Sequence, residues 1–313
     1  MNQYLKKIIS FLITLMCVAI LSFFLFQIIP GDAAVSKLGT EATPEQIAEL
    51  RSMYGYDKGF FERFFLWIGG AITGDFGVSI NYGPMTVAEL IGQRLPVTIW
   101  LAVLSILLIV IISIPIGLIC AKRPGGVLDS VTDWLTQIFM AIPSFVHGIL
   151  ITIVFGIVLR WFTPGAYVKP TENFGAFLRF MIFPALSVAL PKIAMTVKFM
   201  KTAVKGELKK DYVRTARAKG CGNEGVLWKH VLKNSLFPVI TFIGMIVAEV
   251  MAGSIMIEQV YSLPGLGMLL VTSISNRDFN VVQAIVMYIA VIVILTNFVV
   301  DMLYRILDPR TEE

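Results

Sequence analysis

The sequence predicts an all-α integral membrane protein with six transmembrane helices and a large external loop after the first. Three observations carry that prediction. Of the 313 residues, 57% are hydrophobic and 15% charged, and the mean hydropathy is +0.79. A water-soluble domain has nowhere to hide that much apolar surface. Six stretches reach the roughly 20 residues needed to cross about 30 Å of hydrocarbon: Ile8–Ile29, Val97–Ile119, Trp134–Leu159, Phe180–Met200, Leu236–Ile257 and Val281–Tyr304. The basic residues beside them (Lys6, Lys7, Lys122, Arg123, Arg305, Arg310) fall on one side. By the positive-inside rule that side is the cytoplasm and holds both termini. The chain then divides into 1–29, the N-terminus and first helix; 30–96, the external loop; and 97–313, a five-helix core with a cytoplasmic loop at 201–235.

The first apolar run is too long for a signal-peptide core, and Gln27–Asp32 lacks a small-x-small cleavage site, so it reads as an uncleaved span. Residues 30–96 hold five basic and eight acidic side chains, the reverse of the cytoplasmic loop. Within them Thr43, Pro44 and Gln46 have the order of a capping box and open a helix that Gly55 ends. Gly59–Thr73 is rich in Phe and Trp and too short to span, which predicts an interfacial helix lying against the spans. The turn Gly74-Asp75-Phe76-Gly77 follows.

Span two contains Pro115, and Cys120–Asp133 reads as a short inner loop before span three opens at Asp133. Span three carries Pro143-Ser144 at mid-depth and then His147. Pro184 and Pro191 are expected to bend or break span four. After span five, Gly265 and Gly267 predict a turn into a short re-entrant helix, Leu266–Ser275, and Asn276-Arg277-Asp278 leads into span six. None of the three cysteines lies in a predicted external segment, so no disulfide is expected.

The most basic stretch is Lys198–Lys233, with ten Lys or Arg against three acids. Its scattered lysines (Lys201, Lys205, Lys209, Lys210) read as solvated loop residues. Glu207–Lys219 has no Gly or Pro and predicts one helix, stopped by Gly220 and Gly222 around Cys221. Asn223 then offers an N-cap for a second helix, with Leu227, Val231 and Leu232 as its apolar stripe, and Pro238 marks the start of span five.

Residues 211–220, DYVRTARAKG, are where a family likeness shows. They resemble the cytoplasmic signature loop of ABC-importer permeases in its oligopeptide/dipeptide/nickel form, with Arg214-Thr215-Ala216 where general importers carry Glu-Ala-Ala. Further phrases agree: PGD at 30–32, TPEQI at 43–47, GDFGVS at 74–79, QRLP at 93–96, AIPSFVHG at 141–148, EQVYSLPGLG at 258–267 and DPR at 308–310. The resemblance implies a type I ABC importer permease fold in a bacterial-type cytoplasmic membrane. It implies a coupling role for Glu207, Asp211, Tyr212, Arg214, Thr215, Ala216, Arg217 and Gly220, which would dock into an ATPase subunit. It places Glu258, Tyr261, Pro264, Gly265 and Gly267 in an external gate or loop. The implied partners are a second, homologous permease (by precedent a different chain), two ATPase subunits that carry ATP and Mg, an external substrate-binding protein, membrane lipid and a peptide substrate. Nickel chelates, metallophores and glutathione-like compounds are the alternatives within the family.

Charged side chains inside spans are costly and point to function. That makes His147, Lys192 and Glu249 the candidates for the translocation pathway, on spans three, four and five. His147 and Lys192 stand where the family resemblance implies apolar residues, and Glu249 is also unusual at its place. No G-x-x-x-x-G-K-[ST] occurs, so no nucleotide site is expected in this chain, and no H-E-x-x-H or Cys/His cluster proposes a metal or catalytic site. The positive charge sits beside spans, which argues against nucleic acid. Two other readings stay open here: a stand-alone proton-coupled secondary transporter using the same three residues, and a non-transporting assembly subunit or receptor.

Overall fold

The computed structural model describes residues 3–28, 37, 42–53, 57–83 and 85–307. The Pro30–Asp32 phrase, Gly55 and the Asp308–Arg310 ending lie outside the described residues. The described residues form helices α1 (Gln3–Ile28), α2 (Pro44–Met53), α3 (Phe60–Thr73), α4 (Val87–Lys122), α5 (Val127–Ala141), α6 (Ser144–Ile151), α7 (Phe174–Glu207), α8 (Asp211–Ala218), α9 (residues 223–260), α10 (Leu266–Ser275) and α11 (Phe279–Leu307). A π-helical turn, Thr152–Val158, extends α6, and another, Val226–Val231, lies inside α9. Among the described residues five helices are long and apolar enough to cross a membrane, and α5 with extended α6 makes a sixth if that bent pair is one span.

That bent pair corrects the single span expected over Trp134–Leu159. The two helices meet at 103°. Pro143 is the cause: it removes a backbone donor and pushes the preceding residue out of helical geometry, and Ile142 is extended at φ −95, ψ 126. Three further boundaries differ. The second span starts at Val87 and carries Pro96 and Pro115 within it. The inner loop expected over Cys120–Asp133 shrinks to the turn at 123–126, since α5 begins at Val127. Helix α7 passes Pro184 and Pro191 unbroken and starts at an Asn173 cap, whose Oδ1 accepts from Ala176 N at 3.0 Å.

The chain forms two compact units, Met1–Thr98 with Pro264–Ile294 and Ile99–Leu263 with Leu295–Glu313. In the first, α3 lies along α1 as expected. Phe23 meets Phe60, Phe64 and Trp67 at ring separations of 5.6, 5.2 and 5.7 Å, while Phe61, Phe65 and Ile72 point outward. The capping box forms in full: Thr43 N donates to Gln46 Oε1 and Gln46 N to Thr43 Oγ1. The core of this unit joins Val87, Leu90 and Ile91 of α4 to Leu266 and Leu269 of α10 and Ile285 of α11. Helix α10 has the predicted bounds.

In the second unit α7 is the central element. It packs against α5, α6 and α9. One core gathers Leu118, Met200, Val204, Val213, Val226 and Val231 where α4, α7, α8 and α9 meet. An aromatic cluster forms around Phe162, with Phe183 stacked at 4.4 Å and Phe180 edge-on at 5.8 Å.

Candidate functional site

The stretch with the implied coupling role forms an eight-residue amphipathic helix, α8, held at both ends and along one face. Sequence alone read one helix over Glu207–Lys219. Instead α7 ends at Glu207, a turn occupies residues 208–210, and α8 starts at Asp211. Within residues 207–219 no Gly or Pro breaks the helix, although Gly206 lies beside the break. The break is tertiary: Val213 is fully buried in the core with Met200 and Val204, and a straight continuation of α7 would carry it away. Local propensity yields to that packing. Tyr212 Oη donates to Glu207 Oε2 at 2.8 Å across the turn, and Lys210 Nζ pairs with Glu207 Oε1 at 2.6 Å. Burial raises the Tyr212 phenol above its usual range.

Gly220 ends α8 as expected. Its φ is +86, Gly220 N donates to Arg217 O at 2.9 Å, and Cys221 N donates to Ala216 O at 3.1 Å. These paired bonds are a Schellman ending, which glycine reaches without strain. The second helix begins differently from expectation. Gly222 occupies the cap position, Asn223 is already helical with no capping bond, and the helix runs without interruption into the fifth span, with Pro238 inside it.

The implied coupling residues, with Val213 beside them, therefore separate into two groups, and Glu207 is half-buried at the end of α7. Tyr212, Val213 and Ala216 face inward, whereas Asp211, Arg214, Thr215, Arg217 and Gly220 are exposed. Arg214 and Asp211 form only a loose, solvent-facing pair at 3.8 Å. An exposed ridge on a rigidly seated helix is a shape suited to inserting into a partner.

Of the three polar span residues, two come together. Lys192 of α7 and Glu249 of α9 form an ion pair, their side chains 20% and 54% exposed. His147 is buried in α6 with its ring 5.8 Å from Phe139, and among the described residues neither ring nitrogen has a hydrogen-bond partner.

In the second unit Glu258 and Tyr261 of the EQVYSLPGLG phrase are buried, and α9 closes on a left-handed Ser262 with Leu263 N donating to Glu258 O at 2.8 Å. In the first unit Gly265 precedes α10, whose first amide, Leu266 N, donates to Thr98 Oγ1 at 2.9 Å. Pro264 is half-buried, and Gly267 is buried in the opening turn of α10.

Two polar constellations escaped the sequence reading. Asp278, read as a connector, is buried and accepts from Ser79 Oγ at 2.5 Å and from the amides of Ile80 and Asn81 at 3.1 and 3.2 Å. Lys201, read as a solvated loop lysine, lies in α7, is buried, and pairs with Asp129 and Asp133 of α5. The four-residue spacing of those two acids, one helical turn apart, was a usable signal.

The family model "Binding-protein-dependent transport system inner membrane component" matches residues 113–313. The chain belongs to that family. An accompanying N-terminal model of such membrane components matches residues 1–102. The permease is 36% identical to the oligopeptide transport system permease protein AppB of Bacillus subtilis (strain 168), over 95% of both chains. It is 34% identical to the dipeptide transport system permease protein DppB of Lactococcus lactis subsp. cremoris (strain MG1363), over 98% of this chain and 97% of that one. Among solved structures, an inward-facing conformation of the MetNI methionine ABC transporter matches with TM-score 0.55 at 17% identity, over 70% of this chain and 97% of that one. The fold is that of a type I ABC importer permease, and the protein is a multi-pass membrane component.

Proposed function

We propose that this permease forms half of the passage of an ATP-driven peptide importer, working with a second homologous permease. The observation that carries the reading is α8: a short helix seated by Val213 and the Tyr212–Glu207 bond, with Asp211, Arg214, Thr215 and Arg217 turned outward. One of two separate ATPase subunits docks on that ridge from the cytoplasm and the other docks on the second permease, and ATP and Mg reside on them. Both termini share the cytoplasmic side. An external binding protein delivers the substrate to the opposite face. The substrate class rests on the relatives named for oligopeptide and dipeptide transport.

Lys192 and Glu249 mark the passage. A half-exposed carboxylate at span depth is unfavourable against hydrocarbon, so the face bearing Glu249 turns toward water or the second permease. Paired charges there match the two ends of a peptide zwitterion.

The test is co-purification in mild detergent, followed by uptake in liposomes. Wild type should bring down an ATPase and a second permease and take up trialanine or Ala-Phe only with ATP and binding protein. Arg214→Glu with Arg217→Glu, both on the exposed face, should lose the ATPase and keep the second permease. A chain that arrives alone and moves peptide without ATP overturns the reading.

A further inference from the structure

Lys201 of α7 pairs with two carboxylates of α5. Its Nζ donates to both Asp133 carboxylate oxygens at 2.8 Å and contacts the Asp129 carboxylate. Lys201 and Asp129 are buried, and Asp133 is partly open to solvent. Asp129 also accepts from Gly125 N at 2.9 Å, which fastens the turn between α4 and α5. The cluster thus rivets the start of α5 to the last two turns of α7.

The same end of α7 carries α8. Met200 and Val204 share a core with Val213 of α8, and Glu207 holds Tyr212. Close-packed cores transmit displacement because they have no slack to absorb it. A shift of α8 therefore moves the end of α7. Lys201 gives α5 a directional, charged tie to α7 in addition to side-chain packing. With it, two carboxylates are bound to one ammonium, and because Lys201 and Asp129 are buried, losing the partner leaves an uncompensated charge. Beyond α5 comes the 103° bend, and beyond the bend lies His147.

We propose that Lys201 is a positioning residue that couples α8 to the α5 arm, so that motion of the docking helix reaches the bend at Pro143. The proposal rests on the importer reading of the preceding section and adds the route by which the stroke travels. It identifies a contiguous physical link, and such links claim coupling only when coupling is measured.

The test uses the assembled complex in liposomes. Lys201→Gln combined with Asp129→Asn removes the charges in balance and guards against a folding failure. Lys201→Arg keeps the cation. The balanced double variant should hydrolyse ATP within about twofold of wild type while peptide uptake falls about tenfold or more, and Lys201→Arg should restore the wild-type ratio of ATP to peptide. A second readout needs no substrate. Spin labels at Ser130 of α5 and Thr202 of α7 should keep one narrow separation in wild type with and without ATP. In the double variant the separation should broaden or shift with ATP. Uptake and hydrolysis falling together with the amount of complex, while the labels stay in step, would show a merely structural role and overturn the proposal. If wild type itself fails to use ATP, the importer reading fails separately, and a double variant whose labels hold the wild-type separation would still overturn the coupling role of Lys201.

Discussion

The hydroxyl of Tyr261 lies 2.9 Å from Ser187 Oγ, with both side chains buried. Ser187 donates to the Phe183 carbonyl at 2.9 Å, so Tyr261 is the donor to Ser187. The Tyr261 hydroxyl thus has a built partner on α7. The bond ties the end of the fifth span to the middle of the fourth.

The two partners should respond unequally to substitution. Tyr261→Phe removes the donor and leaves Ser187 bonded to the backbone, which should cost about 1 kcal/mol. Ser187→Ala strands the buried Tyr261 hydroxyl and should cost more, about 1–3 kcal/mol. Thermal denaturation of the detergent-purified protein would rank them. Equal losses would mean that Tyr261 finds another acceptor.

Asp278 organises the segment after α3. Asp278→Ala takes this acceptor from the buried Ser79 hydroxyl and the Ile80 amide, and removes one of the two acceptors of the Asn81 amide. Each stranded group costs about 1–3 kcal/mol when it stays dry, so the segment should open locally. Faster proteolysis between residues 79 and 86, with the spans intact, is the expected outcome, and Asp278→Asn should be milder because it keeps an acceptor.

Gly117 lets α4 approach α7 closely. A Cβ there would lie 2.7 Å from Met200 Cβ and 3.1 Å from Val197 O. Overpacking of this kind costs about 1–3 kcal/mol. Gly117→Val should lower the denaturation midpoint markedly, and Gly117→Ala should lower it less.

Gly220 has open space where a side chain would go, and its φ is +86. A substitution there is penalised by the backbone alone, about 1–2 kcal/mol for an ordinary L-residue. Gly220→Val should fray the end of α8 and weaken retention of the ATPase while the second permease stays bound. Gly220→Asn, which tolerates this conformation better, should keep most of it. Full retention and ATP-driven uptake by the valine variant would remove the stop at Gly220 from the coupling mechanism.

What the sequence by itself determined is what local chemistry dictates. Apolar length and the distribution of charge settled the membrane class. The Thr43–Gln46 box, the Gly220 stop and the bounds of Leu266–Ser275 depend on neighbours a few residues away, and all are present in the structure. Only the tertiary structure decided which polar groups meet. Lys192 finds Glu249 across 57 positions, Lys201 finds Asp133 across 68, and Asp278 finds Ser79 across 199. Burial reversed the reading of Lys201, and the seating of Val213 broke a helix that propensity would have continued past Glu207. The physical reason is common to these cases. Helix formation is paid back within a turn or two, whereas the cost of a buried charge depends on which helix lies opposite, and that is a property of the packed chain.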